Sequence, residues 1–225
     1  MMTKYFLEAC CQSAQDALTA QTHGASRIEL CEELACDGLT PSLDTIRETL
    51  RSVSIPVNVL IRVRAGNFVY DKDEIAKMCL SIGEIRDLRV VTDDENGAER
   101  KVNAVVIGAL TEEGEIDIPA VKEMMDAAGG LPITFHRAFD VCAQPKKAYK
   151  QLSELGIARI LTSGQAPTAV EGSKLLAELV QMSSTPKDNF CRPTILVGGG
   201  VRPANIDTLA EETGAQEFHS SYLLW

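Results

Sequence analysis

The sequence predicts a TIM-type (β/α)8 barrel, folded as one domain over residues 1–225 and lacking a full eighth helix. Two observations predict it. Eight short apolar or β-branched runs alternate with seven stretches of helical spacing, and regular βα alternation requires parallel strands joined by crossover helices. The last run lies close to the end of the sequence, which leaves no room for a further helix. An open doubly wound sheet is the rival architecture, but no glycine-rich dinucleotide fingerprint supports it.

The elements follow in order. Residues 5–10 form the first strand. Helical spacing over 13–22 starts at a candidate N-cap, Ser13, and stops at His23-Gly24, where the imidazole reads as a solvated cap. Arg27-Ile28-Glu29-Leu30 is the second strand. Ser42 caps a helix carrying Leu43, Ile46 and Leu50. The third strand covers 56–62, and a helix covers 71–87. Residues 88–101, with the charged turn Asp93-Asp94-Glu95-Asn96-Gly97, read as a surface insertion. The fourth strand covers 103–108, and a helix over 117–128 ends at Gly129-Gly130. Leu131-Pro132-Ile133-Thr134-Phe135 is the fifth strand. A helix over 145–155 has Pro145 in its first turn and Gly156 as its stop. The sixth strand is Arg159-Ile160-Leu161-Thr162. A helix over 168–182 and a polar loop over 183–192 precede the seventh strand, 193–198. A helix over 203–213 and the eighth strand, 216–219, complete the chain.

Composition narrows the function. Net charge is -10 and no Lys/Arg-rich run exists, which excludes a nucleic-acid surface. No apolar run approaches the roughly 18 residues of a membrane span. The start meets an acid, Glu8, too soon for a secretory h-region, so the expected compartment is the cytoplasm. Seven cysteines, an odd count with no CxxC pair, argue for free thiols rather than disulfides or a zinc knuckle.

The chemistry sits where strands end. Residues two apart share a strand face, so the first strand presents Glu8 with Cys10 and the second presents Glu29 with Cys31. The third strand offers Arg62 and Arg64, the fifth Thr134 and His136, the eighth Glu217 and His219. Barrel interiors are normally filled by Val, Ile and Leu. Buried Glu8 and Glu29 therefore need partners, and Arg62, Arg64 and the histidines are the ones on offer. Two readings stay open: an ion network that plugs the barrel, or a polar pocket in which Glu8, Glu29, Arg62, Arg64 and His136 are catalytic. By alternation His136 faces the interior and Arg137 faces the helix layer, as a partner for Asp140 or a helix carboxylate.

Gly198-Gly199-Gly200 precedes a helix, and its N–H groups suit a phosphate or carboxylate, with Ser163 adding a hydroxyl; a tight turn explains the glycines equally well. Cys10 and Cys31 are core filler, a soft thiolate pair of the kind that suits copper(I), or a nucleophile beside a cation. Cys11, Cys36, Cys79, Cys142 and Cys191 read as structural.

The ordered runs Phe6-Leu7-Glu8-Ala9-Cys10, Arg27-Ile28-Glu29-Leu30-Cys31, Leu39-Thr40-Pro41-Ser42, Gly108-Ala109-Leu110-Thr111, Thr134-Phe135-His136-Arg137-Ala138-Phe139-Asp140, Leu161-Thr162-Ser163-Gly164 and Glu217-Phe218-His219 resemble the CutC family, known as copper homeostasis proteins. The resemblance implies a TIM-type barrel, a cytoplasmic location and a homo-oligomer. It also implies that Cys10 and Cys31 correspond to the copper(I) thiols proposed for the family. Arg62-Val63-Arg64-Ala65-Gly66 departs from the family's Arg-Pro-Arg-Gly-Gly. The expected ligand is thus a metal ion or, if the protein is an enzyme, a small anionic or phosphorylated substrate.

Overall fold

A computed structural model describes residues 4–92, 97–184, 192–222 and 224. The tip of the charged turn, residues 93–96, and the 185–191 part of the polar loop, including Cys191, lie outside the described residues.

The elements are β1 (Phe6–Cys11), α1 (Ala14–Thr22), β2 (Arg27–Leu30), α2 (Leu43–Ser52), β3 (Val57–Leu60), α3 (Lys72–Asp87), β4 (Val90–Val91), β5 (Glu99–Arg100), β6 (Ala104–Ile107), α4 (Ile118–Ala128), β7 (Ile133–Phe135), α5 (Pro145–Leu155), β8 (Arg159–Thr162), α6 (Ser173–Ser184), β9 (Thr194–Val197), α7 (Ile206–Thr213) and β10 (Glu217–Ser220). Eight of the strands close a parallel barrel in the order β1-β10-β9-β8-β7-β6-β3-β2. The pairing of β1 with β10, Phe6 to Glu217 through Ala9 to Ser220, closes the ring directly. No helix follows β10 among the described residues. The segment read as a surface insertion contains a small antiparallel pair, β4 with β5, separate from the barrel sheet, with Val90 buried in the core. Two residues per strand are too few to show a period.

Local chemistry explains the boundaries. Ser13 and Ser42 accept hydrogen bonds from the N–H groups of Asp16 and Thr45, capping α1 and α2. Asp71 and Glu74 form a capping box at α3. Outward strand residues such as Ile28, Val59, Val105, Phe135 and Ile160 pack on Ile46, Met78, Ile82, Met124 and Leu152 of the helices, all buried. Each such side chain contributes about 1.5–3 kcal/mol by leaving water.

Two helices start later than the pattern predicts, α6 at Ser173 and α7 at Ile206. Before α6 the loop folds back so tightly that a Cβ on Gly172 would sit 1.9 Å from the Ser163 carbonyl oxygen. Before α7 the Asn205 side chain accepts from Arg202 N–H at 2.8 Å and donates to the Gly200 carbonyl at 3.0 Å. These turns carry the chain across the barrel mouth.

Candidate functional site

Inward-facing polar side chains lie in two layers. In the lower layer Arg27 donates to Glu8 at 2.5 Å and to Glu217 at 3.0 Å. Arg159 donates to Glu217 at 2.9 Å. Asn58 donates to Glu8 at 3.2 Å and accepts from Asn103 at 2.8 Å. The second Glu8 oxygen lies 2.8 Å from His219 Nδ1. Burial pushes the Glu8 carboxyl up, but the His219 hydrogen bond and the Arg27 charge outweigh it and hold the group at about 2.

This pairing corrects an expectation. Glu8 is partnered by Arg27 and, as expected of the histidines, by His219, but not by Arg62 or Arg64. The β1–β2 register sets Glu8 beside Arg27 and Cys10 beside Glu29. The two Glu-x-Cys pairs are therefore offset by two residues, as the stagger of a closed barrel requires. Glu8 lies in the lower layer, and Glu29 rises to the mouth.

The upper layer opens into a cavity of about 530 Å³ lined by Cys10, Glu29, Arg62, His136, Arg137, His219 and the turn at Gly199 and Gly200, among others. On one side the Cys10 and Cys31 sulfurs lie 3.6 Å apart. A Cys10, Glu29 and His219 ligand atom each fall within 4.8 Å of one another. One Glu29 oxygen is buried with no hydrogen-bond partner among the described residues. Burial and the nearby Glu8 charge push the Glu29 carboxyl up to about 7, against the lowering effect of His219. The Cys10 thiol is pushed well above its ordinary value by its hydrogen bond to Cys31, by burial and by Glu29. His219 is raised: burial lowers it, but Glu29 and Glu8 together prevail.

Arg62 covers the thiol side. Its guanidinium donates to the carbonyls of Cys36, Gly38 and Gly66 at 2.9–3.0 Å and packs on Phe68 at 5.1 Å. It thereby holds a loop in which Glu33 and Asp37 adopt left-handed backbone angles. Arg64 does not join it. β3 ends at Leu60, alternation lapses, and Arg64 turns out to Glu74 at 2.5 Å and the Val69 carbonyl at 2.6 Å.

Opposite the thiols stands His136. Its ring lies so close to Gly108 that a Cβ there would meet it at 2.3 Å. Nδ1 accepts from Ala138 N–H at 3.1 Å, which places the proton on Nε2. That Nε2–H is buried and has no acceptor among the described residues, an arrangement that costs about 1–3 kcal/mol. Burial and the Arg62 charge hold the imidazole neutral, down at about 3.

Arg137 pairs with Asp140 at 2.8 Å, as the sequence suggests, but it lines the cavity instead of the helix layer. β7 ends at Phe135 and a 3-10 turn begins at Arg137, so strand alternation no longer sets its direction. Ser163 is not available to an external anion. Its N–H and hydroxyl, with the Thr162 hydroxyl at 2.5 Å and the Gln165 N–H at 3.3 Å, all donate to the Asp140 carboxylate. Gly198 N–H is also used, by the Thr162 carbonyl. Gly199 and Gly200, at φ +98 and +79, line the cavity, and their N–H groups meet no protein acceptor among the described residues.

Sequence reasoning missed Arg27, Arg159 and Asn58 below, and Phe68 and Arg202 at the mouth. Arg27 carried a usable signal, because it lies two residues before Glu29 on the same face. Arg202 carried none.

The CutC family pattern matches residues 5–223. The chain belongs to the CutC family. A CutC family protein from Enterobacter sp. (strain 638) is 41% identical over 219 residues, covering 97% of this chain and 81% of that relative. One from Parabacteroides distasonis is 42% identical over 219 residues, covering 97% and 83%. A crystal structure described as the copper homeostasis protein CutC from Streptococcus agalactiae superposes with a TM-score of 0.85 at 34% identity, covering 97% of this chain and 99% of that one. No helix among the described residues of this CutC chain is long and apolar enough to cross a membrane.

Proposed function

We propose that this CutC chain is a cytoplasmic copper homeostasis protein that binds Cu(I) through Cys10 and Cys31. The observation that carries this reading is the 3.6 Å contact between the two sulfurs inside the barrel mouth. Soft thiolates prefer Cu(I), and two of them suffice for its low coordination numbers. Glu29 and His219 stand close enough to Cys10 to support a third bond or to accept a thiol proton. Arg62 keeps the covering loop closed over the sulfurs. The homo-oligomer implied by the family resemblance belongs to the same proposal, and sedimentation at monomer mass would remove it.

The thiols must lose protons to bind. Cys10 holds its proton well above the usual thiol range, so Cu(I) binding releases protons and strengthens as pH rises. The test is a Cu(I) titration against a competing chelator, run at several pH values, on wild type and a Cys10→Ser/Cys31→Ser variant. The expected result is an affinity that climbs with pH in the wild type and falls by more than about a hundredfold in the variant, in keeping with the loss of both metal-bound thiolates. Equal affinities for the two proteins would remove the proposal.

A further inference from the structure

The thiols account for one side of the cavity only. A single copper ion bound to two sulfurs needs little of a cavity of about 530 Å³, a volume in the range of small-molecule sites. The remaining wall is also unsuited to a cation. It carries the guanidinium groups of Arg137 and Arg202, and the neutral imidazole of His136 presents a donor rather than a lone pair.

We infer that this wall is a second subsite, which binds the carboxylate or phosphate group of a small organic anion. Barrel order places it. β7 stands four strands from β1 in either direction, so His136 and Arg137 face Cys10 across the mouth. Gly199 and Gly200 follow β9, midway between β1 and β7 round the barrel. Three kinds of donor line the arc of the cavity from β7 to β9. The His136 Nε2–H is buried and lacks an acceptor. With Nδ1 committed to Ala138, the opposite ring edge is the part left for a ligand. The Gly199 and Gly200 N–H groups meet no protein acceptor among the described residues, and both glycines, in a left-handed backbone that glycine alone adopts at no cost, line the cavity. Arg202 adds a fixed charge. It donates to the Val201 carbonyl and to Ser220 through one nitrogen and lies over the Tyr222 ring at 6.0 Å, which orients it.

The negative groups nearby do not cancel this field. Asp140 is enclosed by Arg137, Thr162, Ser163 and Gln165. Asp37 and Glu29 lie on the thiol side, on the loop after β2 and on β2 itself. The subsite uses neither Cys10 nor Cys31, so it stands or falls separately from copper binding.

The test uses the metal-free protein and the imidazole nitrogen signals of its three histidines. Inorganic phosphate and malonate are titrated separately, with chloride as the control. The expected result is a saturable shift of the His136 Nε2–H signal with at least one of the two oxyanions and none with chloride. Phosphate alone would assign the subsite to a phosphoryl group, and malonate alone to a carboxylate. Arg202→Met removes an exposed side chain. His136→Asn keeps an acceptor for Ala138 N–H but removes the Nε2–H. Read by calorimetric titration of the same oxyanions, which does not need the His136 signal, each is expected to weaken binding about tenfold or more, the usual effect of losing one hydrogen bond to a charged acceptor. The Cys10→Ser/Cys31→Ser variant is expected to bind the anion as the wild type does. No saturable shift with either oxyanion, or equal affinity in both subsite variants, would overturn the inference.

Discussion

Two polar layers inside one barrel both carry glutamate and arginine, yet they differ in how those groups are partnered. In the lower layer each charged side chain has an opposite charge at hydrogen-bond distance: Glu8 with Arg27, Glu217 with Arg27 and Arg159. In the upper layer a Glu29 oxygen, the Arg62 Nε and the His136 Nε2 lack partners among the described residues. The glutamates on adjacent strands record the difference, one held at about 2 and the other pushed up to about 7. A network that satisfies itself needs no ligand. Buried polar groups left unsatisfied mark the layer that a ligand completes.

The contrast can be broken most directly at Glu8. Glu8→Ala leaves Arg27 buried without its main partner and is expected to cost about 3–5 kcal/mol in denaturant unfolding. Glu29→Gln is expected to cost far less, because it removes a carboxylate that burial already disfavours. Similar losses from the two substitutions would mean that the layers do not differ.

Titration separates the layers next. The Glu29 carboxyl is raised in the folded state from 4.5 to about 7. As pH climbs through that window the unfolded chain gives up the proton first, so Glu29 erodes the stability of the metal-free protein as pH rises, on the order of 3 kcal/mol in all. Glu8 acts in the opposite sense. Its folded value is depressed to about 2, so its contribution is present above 4.5 and is lost as pH falls towards 2. Unfolding curves of Glu29→Gln against wild type should therefore diverge between pH 4.5 and 7, with the variant gaining at the upper end. A constant difference across that window would contradict the assignment.

A smaller effect sharpens the picture at the mouth. Gly108→Ala drives a methyl group into the His136 ring and is expected to cost about 1–3 kcal/mol, as overpacking does. It should also move the His136 imidazole signals while leaving those of His23 in place. Unchanged His136 signals would show that the ring does not rest on Gly108.

Much of this architecture was legible in the residues. Runs of two periodicities gave the strands and helices in order, and alternation turned His136 inward. The repeated Glu-x-Cys on neighbouring strands pointed to the sulfur pair, although the registers are offset by two residues and the 3.6 Å contact is a diagonal one. Height within the barrel was not legible. Alternation tells which face a side chain takes, whereas the stagger of the closed sheet decides its neighbours across the gap, so Glu8 was assigned the wrong arginine. Loops past the strand ends obey neither period. Arg64 therefore left the site, Arg137 entered it, and Ser163 turned to Asp140.

The central claim is that the upper layer holds Cu(I) on the two thiols. Copper X-ray absorption of the protein loaded with one equivalent of Cu(I) tests it most directly. The account predicts a first shell dominated by sulfur in the wild type, replaced by oxygen or nitrogen in the Cys10→Ser/Cys31→Ser variant. A wild-type spectrum without sulfur, or a sulfur shell that survives in the variant, would contradict it.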